Sequence, residues 1–190
     1  MRRVTRIAVI DPQPAVRAGL SMLLRTEPGL VPVGAAAGAH DGARLVERLR
    51  PDVVLLEPHL LDGDGLGLCR RLRARVVLYA ADADPTLGLL ARVAGADGLV
   101  DKSAEPADLF EAIRMVARGG TALPALDAAE LDAAAHRIEP EDLALLAMLV
   151  DRTPAEDVAE TLNVDLRRMT RRIERLLGRL RTRPAAATAA

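Results

Sequence analysis

The chain has 190 residues, is 50% hydrophobic and carries a formal net charge of −1. Its 26 basic residues are 25 arginines and one lysine, Lys102, and its aromatic residues are Tyr79 and Phe110 alone. No apolar run approaches the ~20 residues that cross a bilayer, so a transmembrane protein is excluded. Two rings disfavour a site built on stacked bases. The single cysteine, Cys69, excludes an internal disulfide framework and a cysteine-based zinc site. Met1-Arg2-Arg3-Val4-Thr5-Arg6 leads into an apolar stretch soon broken by Asp11 and Pro12, unlike a secretory leader. The expectation is a cytoplasmic protein of one or two domains.

The near-zero charge conceals a strong segregation. Residues 1–124 hold 16 basic and 15 acidic side chains, residues 125–164 hold 2 and 10, and residues 165–190 hold 8 and 2. A short arginine-rich segment beside an acidic one is the footprint of a polyanion binder or the solvated face of a helix. Periodicity separates the two.

In chain order, short runs rich in Val, Ile and Leu predict strands at Arg6–Ile10, Leu30–Ala35, Asp52–Glu57, Val76–Ala80 and Gly98–Val100. Between them, helical spacing appears at Val16, Leu20, Leu23 and Leu24, then at Leu45, Val46 and Leu49, then at Leu66, Cys69 and Leu72. It returns at Leu89, Leu90 and Val93, and at Leu109, Phe110, Ile113 and Val116. Alternating strands and helices of this length predict a doubly wound α/β fold with five parallel strands. Ligand chemistry in such a sheet lies at the carboxyl ends of the strands. The residues there are Asp11, Pro12, Glu57, Ala80 and Lys102.

Residues 5–118 resemble the receiver domain of bacterial two-component response regulators. The resemblance rests on the acid after the first strand, the Pro51–Leu56 strand, the Asp64-Gly65 turn, the run Ala94–Gly98 and the lysine after the fifth strand. It implies a flavodoxin-like fold in which paired acids hold Mg²⁺ and an Asp ending the third strand accepts a phosphoryl group. A hydroxyl ending the fourth strand and the lysine then bind that group. A phosphoryl group beside a carboxylate needs a hard cation and an ammonium to offset the repulsion. This chain keeps Asp11 and Lys102 only: Pro12 replaces the second acid, Glu57 the acceptor, Ala80 the hydroxyl, and Leu99 the switch aromatic. Lys102 is expected to pair with Glu57 or Asp11, as a surviving structural pair or a functional one. Glu57 is either a mimic of the phosphorylated state or an inert strand end. The expectation is a receiver that does not depend on phosphorylation, with no cofactor and no metal.

Gly119-Gly120 closes the last of these helices, and residues 121–137 are expected to be a linker with a short helix, Ala128–Ala135. Next come Pro140 at a helix start with Leu143, Leu145, Leu146, Leu149 and Val150, and then Thr153-Pro154-Ala155-Glu156, which has the capping-box form. Asn163-Val164 makes a turn and Asp165 caps a helix to about Arg181. In that helix Leu166, Met169, Ile173, Leu176, Leu177 and Leu180 line one face, while Arg168, Arg171, Arg172, Arg175 and Arg179 line another. This is the geometry of a major-groove reader.

Residues 138–180 resemble the LuxR-type helix-turn-helix of NarL/LuxR-family regulators, from Ile138-Glu139-Pro140 through Val158-Ala159-Glu160 to Leu176–Leu180. The middle of the reading helix departs at Arg168-Met169-Thr170, so the target sequence does not transfer. Arg171, Arg172, Arg175 and Thr170 are expected at base edges, with Arg167, Arg168, Arg179 and Arg181 at phosphates. The division expected is a receiver-like domain at 1–120, a linker at 121–137, an all-α helix-turn-helix domain at 138–183 and a disordered tail at 184–190. With no counterpart of the family's fourth helix, dimerisation is expected through the first and last receiver helices. The expected partners are double-stranded DNA and a second copy, with RNA polymerase a further candidate, and neither a histidine kinase nor a membrane is expected. The rival readings are a ligand-sensing regulator using the receiver pocket and a non-DNA-binding adaptor. His40, His59 and His136 form no catalytic or metal spacing, so an enzyme is not expected.

Overall fold

The computed structural model describes residues 4–181. The tail expected at 184–190 lies outside the described residues. Five strands, β1 (Thr5–Ile10), β2 (Leu30–Ala36), β3 (Val53–Leu56), β4 (Arg75–Ala80) and β5 (Gly98–Asp101), form one parallel sheet in the order β2-β1-β3-β4-β5. The crossovers are α1 (Pro14–Thr26), α2 (Ala39–Leu49), α3 (Gly65–Arg71) and α4 (Pro85–Val93), and α5 (Pro106–Ala117) follows β5. The central strand is buried along its whole length, as parallel strands covered on both faces must be. It is shorter than the sequence suggests, because Asp52 and Glu57 flank it rather than belong to it. Pro32 lacks an amide donor and sits in β2, an edge strand, where the register with β1 slips between Ile7 and Ala8. An edge is where proline is tolerated.

Alternation along the strands divides the core into two layers. Ile7, Val9, Val53, Leu55 and Val77 pack with Leu20 and Leu24 of α1 and with Leu109, Ile113 and Val116 of α5. Ala8, Ile10, Val54, Leu56, Val76 and Leu78 pack with α2, α3 and α4. The second layer does not stop at the sheet's own helices. It continues without a break into the C-terminal helical domain through Leu145, Leu149, Val158, Met169, Ile173 and Leu177.

After the short helix α6 (Ala128–Ala135) come a 3₁₀ turn at Pro140–Asp142, α7 (Leu143–Val150), α8 (Ala155–Thr161) and α9 (Leu166–Arg181). Asn163 takes the left-handed conformation at φ 51°, and the Asp165 carboxylate accepts from the Arg168 amide at 3.0 Å, which starts α9 as its sequence predicts. Two local expectations are corrected. The cap of α8 is Pro154, with no side-chain hydrogen bond, so Thr153 forms no capping box. Leu166 opens α9 46% exposed, because it lies on the first turn beyond the reach of α8, whereas the other five apolar residues of its stripe are buried.

The segment 121–137 is built into the fold rather than strung between two bodies. Ala122 bridges to Gly98, accepting from the Leu99 amide at 3.0 Å and donating to the Asp97 carbonyl at 2.8 Å. The chain reaches it through Gly119, whose φ of 90° is open to glycine at little cost. In α6, Ala134 is fully buried, with α4 alongside. α4 also packs against α7 and α9. Among the described residues no helix is long and apolar enough to cross a membrane.

Candidate functional site

The sheet brings the five expected pocket residues to its carboxyl edge. Asp11 follows β1, Glu57 follows β3, Ala80 ends β4 and Lys102 follows β5. Lys102 reaches across the edge to both acids: its Nζ lies 2.6 Å from Asp11 Oδ2 and 2.7 Å from Glu57 Oε2. The two alternatives for its partner are thus one bridging arrangement. All three side chains are at most 14% exposed. Burial alone would lower the Lys102 pKa, but hydrogen bonds and charge from Asp11 and Glu57 outweigh it and hold the ammonium above its usual range. The Tyr79 ring adds a cation–π contact at 5.9 Å from its centroid.

The remaining carboxylate oxygens are also occupied. Asp11 Oδ1 accepts from the Gln13 amide at 2.8 Å, and Glu57 Oε1 accepts from the His59 amide at 2.9 Å. Arg17 fixes the backbone here by donating to the Asp11 and Pro12 carbonyls at 2.7 and 2.9 Å. Gly65 is required below the pocket, since a Cβ there would stand 2.5 Å from the Pro58 carbonyl oxygen and 2.6 Å from that of Glu57.

The residues present do not fit a divalent cation. Such an ion needs several oxygen ligands at once. Pro12 offers no side-chain oxygen, and the ammonium of Lys102 already takes the facing oxygens of Asp11 and Glu57. Ala80, 1% exposed, has no hydroxyl to follow a change of charge. Asp101, at the end of β5, escaped notice in the sequence. Its carboxylate accepts from the side chain and amide of Ser103 and from the Ala83 amide, which lower its pKa in that order of importance. These bonds pin the β4–α4 and β5–α5 loops together, and they leave this acid facing away from the pocket trio.

On α9 the arginines divide. Arg167, Arg168, Arg171 and Arg175 are exposed, Arg168 with its Nε 3.2 Å from Asp165. Arg172 is not available at the surface in the same way: its Nε is 2.5 Å from Asp142 Oδ1 and a terminal nitrogen donates to the Glu141 carbonyl. Arg179 lies 3.3 Å from Glu139 and 3.6 Å from Asp142. Both reach the 3₁₀ turn, Arg172 partly buried there and Arg179 still exposed. Arg181 pairs with Asp64 at the start of α3. The Thr170 hydroxyl bonds back to the Leu166 carbonyl at 2.9 Å, the local habit of helical Thr.

Sequence reasoning also missed the polar seam between sheet and C-terminal helices. Asp97, buried between β4 and β5, accepts from the Val76 amide at 2.9 Å and from Arg75 at 3.1 Å. It accepts as well from Arg152 at 2.9 Å, and Arg152 also donates to the Ala96 carbonyl. Arg152 stands at φ 63° just after α7, with its amide on the Leu149 carbonyl. This is a left-handed helix stop of the kind glycine usually fills, and an arginine there was the available signal.

Residues 7–114 match the model of the response regulator receiver domain. The DNA-binding transcriptional activator DevR/DosR of Mycobacterium tuberculosis is 30% identical over 193 residues, covering 93% of this chain and 88% of that protein. Among solved structures, a two-component response regulator of the LuxR family from Aurantimonas sp. SI85-9A1 is 33% identical, with a TM-score of 0.60 over 63% of this chain and 89% of that one. RcsB, solved as two dimers bound to two parallel DNAs, shares the fold along 96% of this chain and 95% of its own, with a TM-score of 0.63 at 17% identity.

Proposed function

Because the chain belongs to the response regulator receiver domain family, we propose that it is a transcription regulator whose C-terminal domain, 138–183, binds double-stranded DNA and whose receiver acts without phosphorylation. The observation that carries the DNA reading is α9 itself. Its apolar stripe is buried while Arg167, Arg168, Arg171 and Arg175 face solvent beside the α8–α9 turn. Arginine forks suit guanine edges and phosphates. Arg171 and Arg175 are assigned to bases, with Arg167 and Arg168 on phosphates. Arg172 and Arg179 serve as bracing that orients the helix, and Thr170 contributes packing rather than a free hydroxyl.

The test is binding to genomic fragments at two salt concentrations. Affinity falls steeply with salt, and Arg171→Ala loses about 1–3 kcal/mol on the preferred sequence while losing less on unrelated DNA. Equal loss on every sequence removes the base-reading role, and no binding at low salt favours the adaptor reading instead.

Phosphorylation independence is supported by the Lys102 bridge. With the ammonium already neutralised by two acids, no oxygen remains unshared for a metal and no aspartate stands at the acceptor position. Beryllofluoride or acetyl phosphate with Mg²⁺ leaves DNA affinity and oligomeric state unchanged. Glu57→Asp alone incorporates no radiolabel from acetyl phosphate, since Pro12 still breaks the metal site. A clear shift, or label in that variant, overturns this part. A second copy is proposed to join through α1 and α5, where Met22 and Met115 are exposed, and RNA polymerase is the further protein partner.

A further inference from the structure

A second cluster of arginines lies away from both the pocket and the reading helix. It lines a cleft of about 190 Å³ between α3, α4 and the α7–α8 turn. Three guanidiniums border it: Arg70 from α3, Arg92 from the last turn of α4 and Arg152 from the end of α7. Among the described residues only Arg152 of the three has a carboxylate partner, and that one, Asp97, is already shared with Arg75. Arg92 donates to the Pro124 carbonyl at 2.7 Å and Arg70 to the Val93 carbonyl at 3.1 Å, neutral acceptors in both cases.

Arg70 is the telling member. Its Nε is buried and has no hydrogen-bond partner among the described residues. Burial lowers its pKa, and the acidic Glu174 and Glu156 offset this only in part. Both glutamates are exposed, and neither lies within ion-pair distance of it among the described residues. The Cys69 thiol, pushed up to about 12 chiefly by burial, stays neutral and offers no anion. A buried N–H without an acceptor and a guanidinium without a counter-charge are each costly.

We propose that this cleft binds a small tetrahedral oxyanion, inorganic phosphate or the phosphate of a small monoester, held by Arg70 and Arg92 with Arg152 at its far wall. A phosphate group supplies the missing counter-charge, and its oxygens match the terminal nitrogens of the guanidinium forks. The volume equals that of about six waters, which is ample for one such group and its hydration. The anion would bridge the sheet layer and the C-terminal helices, fastening them where Arg152 and Asp97 already join. The inference does not rest on the DNA reading.

The test uses the whole chain and inorganic phosphate, compared with chloride at matched ionic strength. Phosphate raises Tm saturably and broadens the ³¹P resonance, whereas chloride does not. Arg70→Gln and Arg92→Gln each weaken the apparent phosphate affinity about tenfold, the worth of one charge-assisted hydrogen bond. Arg48→Gln, on the exposed face of α2, leaves it unchanged. Should Arg70→Gln not fold, Arg92→Gln carries the test alone, because that side chain is anchored only to a surface carbonyl. Equal responses to phosphate and chloride overturn the proposal. So does a less than threefold change in Arg92→Gln, or a loss of the response in Arg48→Gln.

Discussion

Lys102→Met destabilises the fold by about 3 kcal/mol, measured by urea unfolding at neutral pH. The variant keeps the length and apolar stem of the side chain and removes only the ammonium. Two buried acids, Asp11 and Glu57, then face one another across the sheet edge without a counter-charge, and breaking a buried ion pair from one side costs about 3–5 kcal/mol. The lower end applies because Lys102 retains 14% exposure. Adding Glu57→Gln to Lys102→Met restores a large part of the loss, since a single acid remains. If the double variant is no more stable than Lys102→Met, the bridge is not what holds this edge together.

The same bridge sets a pH dependence. The Lys102 pKa is raised in the folded chain from 10.5. Below 10.5 the lysine is charged in both states and its contribution is present in full. The contribution is lost as pH rises through the higher folded value. Cys69 and Tyr79, whose pKa values burial also raises, lose stability over the alkaline range too. The Lys102 share is therefore the difference between the wild-type and Lys102→Met profiles, which converge above the folded pKa of the lysine.

The sheet and α9 were legible because each carries a local period: continuous Val and Leu runs for buried strands, and an apolar stripe opposite an arginine stripe for the last helix. The pocket was legible as a list of residues and as a fold position, but not as the double contact of Lys102, which depends on how far Glu57 reaches. What the sequence concealed is non-local. Leu89, Leu90 and Val93 read as one face of α4, yet Leu87 and Ala91 are buried as well. A helix apolar on every side has neighbours on every side, and here they are α6, α7 and α9. Arg172 falls on the outer face by spacing alone, because nothing local announces that Asp142 comes round to meet it.

Asp97→Ala is the second large effect: it destabilises the chain by about 3 kcal/mol and loosens the C-terminal helices from the sheet. The residue is 7% exposed and its carboxylate takes three donors, one from the β4 backbone, one from Arg75 beside it and one from Arg152 across the seam. Truncation leaves the Val76 amide without its acceptor and two guanidiniums without this counter-charge, and each such loss is worth about 1–3 kcal/mol. Asp97→Asn keeps an acceptor for Val76 and so separates the backbone bond from the ionic part. Arg152→Ala removes only the contact across the seam and costs about 1–2 kcal/mol. The cycle of Asp97→Asn, Arg152→Ala and their combination yields a coupling energy of about 1 kcal/mol or more, as contacting charged groups do. Hydrogen exchange in α7 rises in both single variants, while that in β1, on the far side of β3, does not. Additive losses in the cycle, or exchange that rises equally in β1, would mean that Asp97 only supports the sheet and does not hold the two parts of the chain together.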